Sequence, residues 1–232
     1  MRQVVLDTET TGLEYARGDR VIEIGCVELA SRALTGRRFH RYLNPERQVE
    51  AGALTVHGLT DEFLRDKPKF RDIATQFVEY IRGAELIIHN APFDVGFLDH
   101  ELGLIGIPPL AELSAGVIDT LKLAKDLHPG RRNSLDALCE RYAIDHTRRT
   151  LHGALLDAEL LAEVYLAMTR GQESLIIELE PVDTALDDSS GGARPALRVL
   201  AASAEELSEH DRILEEINLE CGRRWLWLGQ RE

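Results

Sequence analysis

The stretch VVLDTETTGLE, residues 4–14, limits the possible folds of this chain more than any other. Val4, Val5 and Leu6 read as a short strand heading into a core. Asp7 and Glu9 follow, two positions apart, each beside a threonine. A strand alternates faces, so residues i and i+2 point the same way. Two carboxylates therefore sit side by side at the end of a buried strand. Like charges so close destabilise each other unless something positive lies between them.

The rest of the chain supplies strands first and then helices alternating with strands. Residues 20–29, RVIEIGCVEL, alternate apolar and polar side chains and read as a second strand. Residues 37–45 read as a third, ended by Asn44-Pro45. Phe70, Ile73, Ala74, Phe77, Val78 and Ile81 recur at helical spacing. Residues 85–90, ELIIHN, read as a short buried strand, with Asn90 as N-cap and Pro92 in the first turn of the next helix. Two further helices are expected over 133–143 and 152–170. The pattern is α/β, a mixed sheet flanked by helices. After residue 180 the composition changes. Residues 181–195 are rich in Asp, Ser, Gly and Pro, as a flexible linker is. Behind it, LRVL reads as a strand and SAEE, residues 203–206, has the form of a capping box. Leu207, Ile213, Leu214 and Ile217 give the following helix an apolar side, and Trp225 and Trp227 come after it. So short a tail cannot bury a core of its own. The expected division is 1–180, a linker over 181–196, and a tail over 197–232.

Bulk properties narrow the class. No apolar run approaches the roughly 18 residues of a membrane span. Cys26, Cys139 and Cys221 are scattered and lack metal-ligand spacing, which fits a reducing cytoplasm. The net charge is −13, from 27 basic and 40 acidic residues. A protein that grips long nucleic acid by its phosphates is usually basic. Nucleic acid as substrate thus requires that one end be held through metal ions, or that a partner deliver it.

Two more carboxylates stand out. Asp94 follows HNAPF and falls in the first turn of a helix after a buried strand. Asp157 shares a helical stripe with Leu160, Leu161, Val164 and Met168. A carboxylate on a buried stripe needs a partner, whereas Glu159 and Glu163 lie off it. His152 stands five residues before Asp157, about 140° around a helix. Gly153 weakens the helix start, so His152 is placed on a mobile loop able to swing toward Asp157. Asp7, Glu9, Asp94 and Asp157 offer oxygen-only ligation, which suits hard cations such as Mg²⁺ or Mn²⁺. Four negative charges match two such ions, the arrangement that cleaves phosphodiesters. His152 has the chemistry to take the proton of the attacking water. Each of these residues alone has an ordinary explanation as a cap, a solvated charge or a core ion pair. Their joint occurrence beside buried segments points to a site.

The segments DTETTG, HNAPFD and HGALLD resemble the three exonuclease motifs of the DnaQ-like family, in its DEDDh branch, and the resemblance covers roughly residues 2–180. It implies a ribonuclease H-like fold and 3′→5′ exonuclease activity on a DNA end. Asp7, Glu9, Asp94 and Asp157 take the metal-ligand positions, His152 the general base, and His57, in TVHGL, a contact to the substrate terminus. Asp7, Glu9 and Asp157 are placed against the substrate as well. The chain departs from the family at Gly52, where a related member carries a glutamate. His89 and Asn90 either line the site or only cap the next helix. Phe93 either wedges against a base or belongs to the core. Asp119 reads as a helix start and Asp136 as part of a solvated face. His40, His100, His128, His146 and His210 show no supporting partners in the sequence.

Two features bear on partners. QESLII, residues 172–177, resembles a sliding-clamp-binding peptide, with Gln172, Ser174, Leu175, Ile176 and Ile177 as contacts. The tail from Leu197 resembles the polymerase-binding segment of the family's proofreading members, where a small accessory subunit is a further possible partner. A stand-alone ribonuclease of the same fold would need neither. A non-catalytic bridge between clamp and polymerase would not need the five-residue site.

Overall fold

The structure is a computed structural model that describes residues 2–147, 151–170 and 202–221, the last four of these through their backbone only. The expected clamp peptide, the linker, LRVL and the two tryptophans lie outside the described residues. The chain divides into two units, Met1–Glu178 and Leu179–Glu232.

The first unit is built on a five-stranded sheet in the order β3-β2-β1-β4-β5. Strand β1, Arg2–Thr10, lies at its centre. It pairs antiparallel with β2, Val21–Ala30, and parallel with β4, Glu85–Ile88. Strand β3, Ala33–Tyr42, forms one edge and β5, Gly116–Asp119, the other. Helices cover both faces. On one side Val4, Leu6, Leu86 and Ile88 pack with Phe70, Phe77 and Ile81 of α3, Phe70–Ile81, and with Phe97 and Leu102 of α4, Ala91–Leu104. On the other, Val5, Val27 and Ile87 pack with Leu138 of α7, Leu135–Arg141, and with Leu160, Leu161 and Val164 of α8, Ala154–Met168. The run VVL is apolar without alternation because both of its faces are buried. Short helices α1, Ala51–His57, α2, Asp61–Leu64, α5, Leu110–Leu113, and α6, Thr120–Leu127, complete the unit.

Several expected boundaries move. The third strand starts at Ala33, not 37, and stops at Tyr42. Ser31 and Arg32 both adopt positive φ, 48° and 62°, so β2 and β3 are joined by a tight two-residue turn that carries no glycine or asparagine to signal it. The strand expected over 85–90 ends at Ile88. Asn90 occupies the N-cap position of α4 in a left-handed conformation, φ 63°, and its side chain makes no capping bond. Its backbone N–H instead donates to Asp119 Oδ1 at 3.1 Å. Between 105 and 132, where the sequence suggested only a helix start at Asp119, the chain contains α5, β5 and α6, the last capped by Asp119.

The second unit contributes α9, Ala204–Cys221. Its capping box forms as the SAEE pattern requires. The Glu206 N–H donates to Ser203 Oγ at 3.2 Å, and the Ser203 N–H donates to Glu206 Oε2 at 2.8 Å. Leu207 and Ile213 are exposed on it.

Candidate active site

Strand alternation decides how the site is assembled. Val5, Asp7 and Glu9 share one face of β1, the face on which α8 packs. Leu6 and Thr8 share the other, where α4 packs. The end of β1 therefore meets two helices at once. From α8, Asp157 is 3% exposed, and it lies on the stripe with Leu160, Leu161, Val164 and Met168, all buried. From α4, Asp94 is also buried, and its Oδ1 accepts from the Thr8 N–H at 3.1 Å and from the Thr8 hydroxyl at 2.6 Å.

Gly25 makes the approach of α8 possible. It is the β2 partner of Asp7, and a Cβ on it would come within 2.2 Å of the Ala154–Leu155 backbone. No side chain fits there, so the first turn of α8 can rest on the sheet directly across from Asp7.

The acids open into a cavity of about 940 Å³. Asp7, Glu9, Asp94, Asp157 and His152 all line it, as do His57, His89, Asn90 and Phe93. One ligand atom each from Glu9, His152 and Asp157 converge within 4.8 Å of one another. His152 Nδ1 lies 3.4 Å from Asp157 Oδ2, with 45% of the histidine side chain exposed. His152 precedes α8, as expected, and its backbone N–H donates to Val56 O at 3.1 Å, which ties its loop to α1.

Burial pushes the Asp94 carboxyl up to about 7, against the two Thr8 hydrogen bonds, with the charge of Asp119 adding to the rise. A carboxylate so disfavoured in its ionised form suits a site where divalent cations supply the compensating charge. The donor set fits that group: carboxylate oxygens, with one imidazole at the margin.

The secondary candidates divide. His57 is buried. Its Nδ1 accepts from the Leu59 N–H at 3.0 Å, so the neutral ring carries its proton on Nε2, which has no hydrogen-bond partner among the described residues. Burial holds its pKa down, against the opposing pull of the Thr10 backbone and the charge of Glu23. His89 sits 3.0 Å from the Thr120 hydroxyl through Nδ1. That hydroxyl gives its proton to Ile88 O at 3.2 Å, so His89 Nδ1 is the donor and Nε2 of the neutral ring is an acceptor. Phe93 packs against Phe97 at 4.9 Å between centroids and lines the cavity. Asp119 caps α6 by accepting from the Leu121 and Lys122 N–H groups.

Other expectations need correction. Asp136 is half-buried and lines the cavity instead of a solvated face. His40 has a partner, Glu23, at 2.7 Å, and His128 has Tyr142 at 2.7 Å. His100 stacks on Tyr15 and His146 contacts Ile144 O. The sequence also gave no sign of an apolar rim. Leu13, 78% exposed, and Val56 line the mouth of the cavity and present apolar surface where a nucleobase could rest. Near Gly52 a Cβ would meet open space, and Glu50 lines the cavity two residues away.

The fold and the acid cluster define a nuclease of the DEDDh type. A family model described as "Exonuclease" matches residues 4–165, and the chain belongs to that family. The fold is shared with the nuclease domain of 3′hExo, a DEDDh family member bound to rAMP, at 19% identity and TM-score 0.63 over 74% of this chain and 92% of that one. It is shared likewise with exonuclease X in complex with 5′ overhanging duplex DNA, at 25% identity and TM-score 0.58 over 73% and 92%. Among curated relatives the chain is similar to DNA polymerase III subunit epsilon of Salmonella typhimurium strain LT2, 50% identical over 231 residues and 95% of each chain. The Escherichia coli K12 subunit is 48% identical over the same shares, and that of Rickettsia prowazekii 44% identical over 95% of this chain and 99% of its own. Within the family the chain thus groups with the epsilon subunits and is a 3′→5′ DNA exonuclease of the proofreading kind. Exonucleases of this family work with divalent metal ions.

Proposed function

We propose that this protein removes mismatched nucleotides from DNA 3′ ends for DNA polymerase III, using two divalent ions, Mg²⁺ or Mn²⁺, held by Asp7, Glu9, Asp94 and Asp157. The observation that carries this reading is the convergence of Glu9, His152 and Asp157 within 4.8 Å in a cavity that Asp7 and Asp94 also line. When bound, such ions activate water and stabilise the leaving oxygen of a phosphodiester. The chain's own residues do the remaining work. Thr8 fixes Asp94 by two hydrogen bonds. His152 accepts the proton of the attacking water, and its exposed ring passes that proton to solvent. Asp157 orients the ring from the Nδ1 side. The Nε2–H of His57 donates to the substrate terminus. Phe93, Leu13 and Val56 hold the terminal sugar and base, with His89 and Asn90 beside them.

Residues 1–180 act as the nuclease, 181–196 as a tether and 197–232 as the polymerase-binding segment. Leu207 and Ile213 are exposed on α9, which supports a docking role for that helix. Gln172, Ser174, Leu175, Ile176 and Ile177 bind the sliding clamp, and a small accessory subunit is a further partner. No helix among the described residues is long and apolar enough to cross a membrane, and we place the protein at the cytoplasmic replisome. The relatives' name, a subunit of DNA polymerase III, supports the polymerase as partner.

The test is nucleotide release from single-stranded DNA. Asp7→Ala and Asp157→Ala should each remove most activity in Mg²⁺ while leaving the circular dichroism spectrum unchanged, and chelator should do the same to the wild type. Activity persisting in either variant or in excess chelator refutes the metal assignment. A chain ending at residue 180 should remain a full nuclease and fail to co-elute with the polymerase subunit. Equal retention of both lengths would move the contact into the nuclease unit.

A further inference from the structure

Several arginines of the sheet unit are occupied. Arg2, Arg20, Arg37, Arg38 and Arg47 each pair with a carboxylate. Arg131 and Arg132 are both exposed, and neither has an acidic partner among the described residues. They sit in the loop between α6 and α7, where the chain carries no acid from residue 127 to residue 135.

The loop is braced from behind. Arg141 donates to Asn133 Oδ1 at 3.0 Å and to Arg132 O at 2.6 Å. Buried Asn133 donates to His128 O at 3.4 Å, and His128 holds the Tyr142 hydroxyl at 2.7 Å. Gly130 takes the left-handed turn, φ 73°. These bonds fix the backbone that carries the two arginines, so binding orders only their side chains. Arg131, Arg132 and Arg141, with Gly130, Ala137 and Glu140, line a shallow depression of about 550 Å³. Its position matters most. Ser134 and Leu135, immediately after the loop, line the catalytic cavity. Two residues of chain span at most about 7 Å, so the Arg132 backbone lies within that reach of a residue that lines the catalytic cavity.

We propose that this arginine loop binds the phosphate backbone of the scissile strand just 5′ of the bond being cut. The assignment rests on the exonuclease reading above and names where that substrate is held. Guanidinium is the side chain best suited to bidentate contact with phosphate. The need is electrostatic as well. The cavity is walled by carboxylates, so a strand entering it gains from a fixed cationic contact outside the acid cluster.

The test uses the full chain with Arg131→Ala and Arg132→Ala combined. Two substrates are compared at fixed Mg²⁺: oligothymidylates of increasing length, and the p-nitrophenyl ester of thymidine 5′-monophosphate, which has no upstream phosphate. On the longer oligomers KM should rise about tenfold with kcat retained. The slope of log KM against log salt should shrink by about 1.4, or roughly 0.7 per lost phosphate contact. The gap between variant and wild type should close on the ester, and lysine at both positions should restore most of the salt slope. Wild-type KM and slope on long oligomers would overturn the proposal, as would an equal loss on both substrates. If the wild-type protein hydrolyses neither substrate, the exonuclease reading has failed and not the arginine loop.

Discussion

Buried carboxylates occur in two settings on this one sheet. Away from the cavity, each is matched to a basic side chain. Glu101 holds Arg20 in a bidentate pair, both contacts 2.7 Å. Glu28 holds Arg2 and Arg37, Asp19 holds Arg47 at 3.0 Å, and Glu23 holds His40 at 2.7 Å. At the end of β1, Glu9 and Asp157 instead converge on each other and on His152, in a cavity that Asp7 and Asp94 also line. The first set is finished by folding, since guanidinium and carboxylate neutralise each other inside the protein. The second concentrates negative charge in a cavity open to ligands, and Asp94, raised to about 7 by its burial, shows the cost. A fold that meets its other buried acids with arginine or histidine, yet gathers three or more at one mouth, keeps stability there in reserve for function.

Two histidines allow this contrast to be broken. His40 and His152 each face a buried carboxylate, Glu23 and Asp157. His152→Ala should lower kcat by roughly 10²–10⁴-fold, the range for a lost general base, with melting temperature and metal affinity retained. His40→Ala should do the reverse, destabilising the sheet edge with little change in kcat per folded molecule. Calorimetric titration with Mn²⁺ beside a rate measurement separates the cases. Lost metal affinity with a near-normal maximal rate in His152→Ala would make that residue a ligand.

The two settings were not equally legible in the sequence. Asp7 and Glu9 could be read because strand periodicity is strict, and Asp157 because a helical stripe otherwise made of Leu, Val and Met exposes any polar intruder. The arginine partners could not be read, because Arg20 and Glu101 are 81 residues apart and nothing local couples them. Gly25 lies in an alternating strand with nothing local to mark its role. Only its contact with the Ala154 backbone shows it to be the seat of α8. Asp136 was misread because a charge in a first helical turn is ordinarily solvated, whereas here that turn forms the cavity wall. Asn90 has the composition of a cap, but Asp119, 29 residues away, takes its N–H. Local periodicity is written in neighbouring residues, while partners across the sheet depend on register and crossover.

Among stability effects, the largest is expected at the finished pairs. Arg20→Ala leaves Glu101, 2% exposed, without its guanidinium, and an uncompensated buried carboxylate of this kind costs about 3–5 kcal/mol. Chemical denaturation should show the loss as a lower midpoint. Replacing both partners by leucine should recover much of it, since an apolar pair of similar volume carries no desolvation penalty. If Arg20→Ala costs under about 1 kcal/mol, the pair behaves as a surface bridge, and the contrast with the cavity acids weakens.

At the cavity the corresponding change should act in the opposite direction, though by less. Asp94 has an ordinary pKa of 3.8, raised by burial to about 7 in the folded protein. The folded state therefore holds a proton that the unfolded chain releases. The stability this confers is full below about 3.8 and is lost as pH rises through about 7. In excess chelator the melting temperature should thus fall as pH is raised from about 5 to 8. Asp94→Asn keeps an oxygen to accept both Thr8 hydrogen bonds and carries no charge. It should melt several degrees higher than wild type in chelator at pH 8, approach it as pH falls toward about 4, and be inactive as a nuclease. Adding Mn²⁺ at pH 8 should raise the wild type toward the variant, because a bound cation favours the ionised carboxylate and binds only the folded state. A variant that melts lower than wild type at pH 8 in chelator would mean that Asp94 is stabilised where it sits, like the arginine-paired acids, and the distinction between the two settings would not hold.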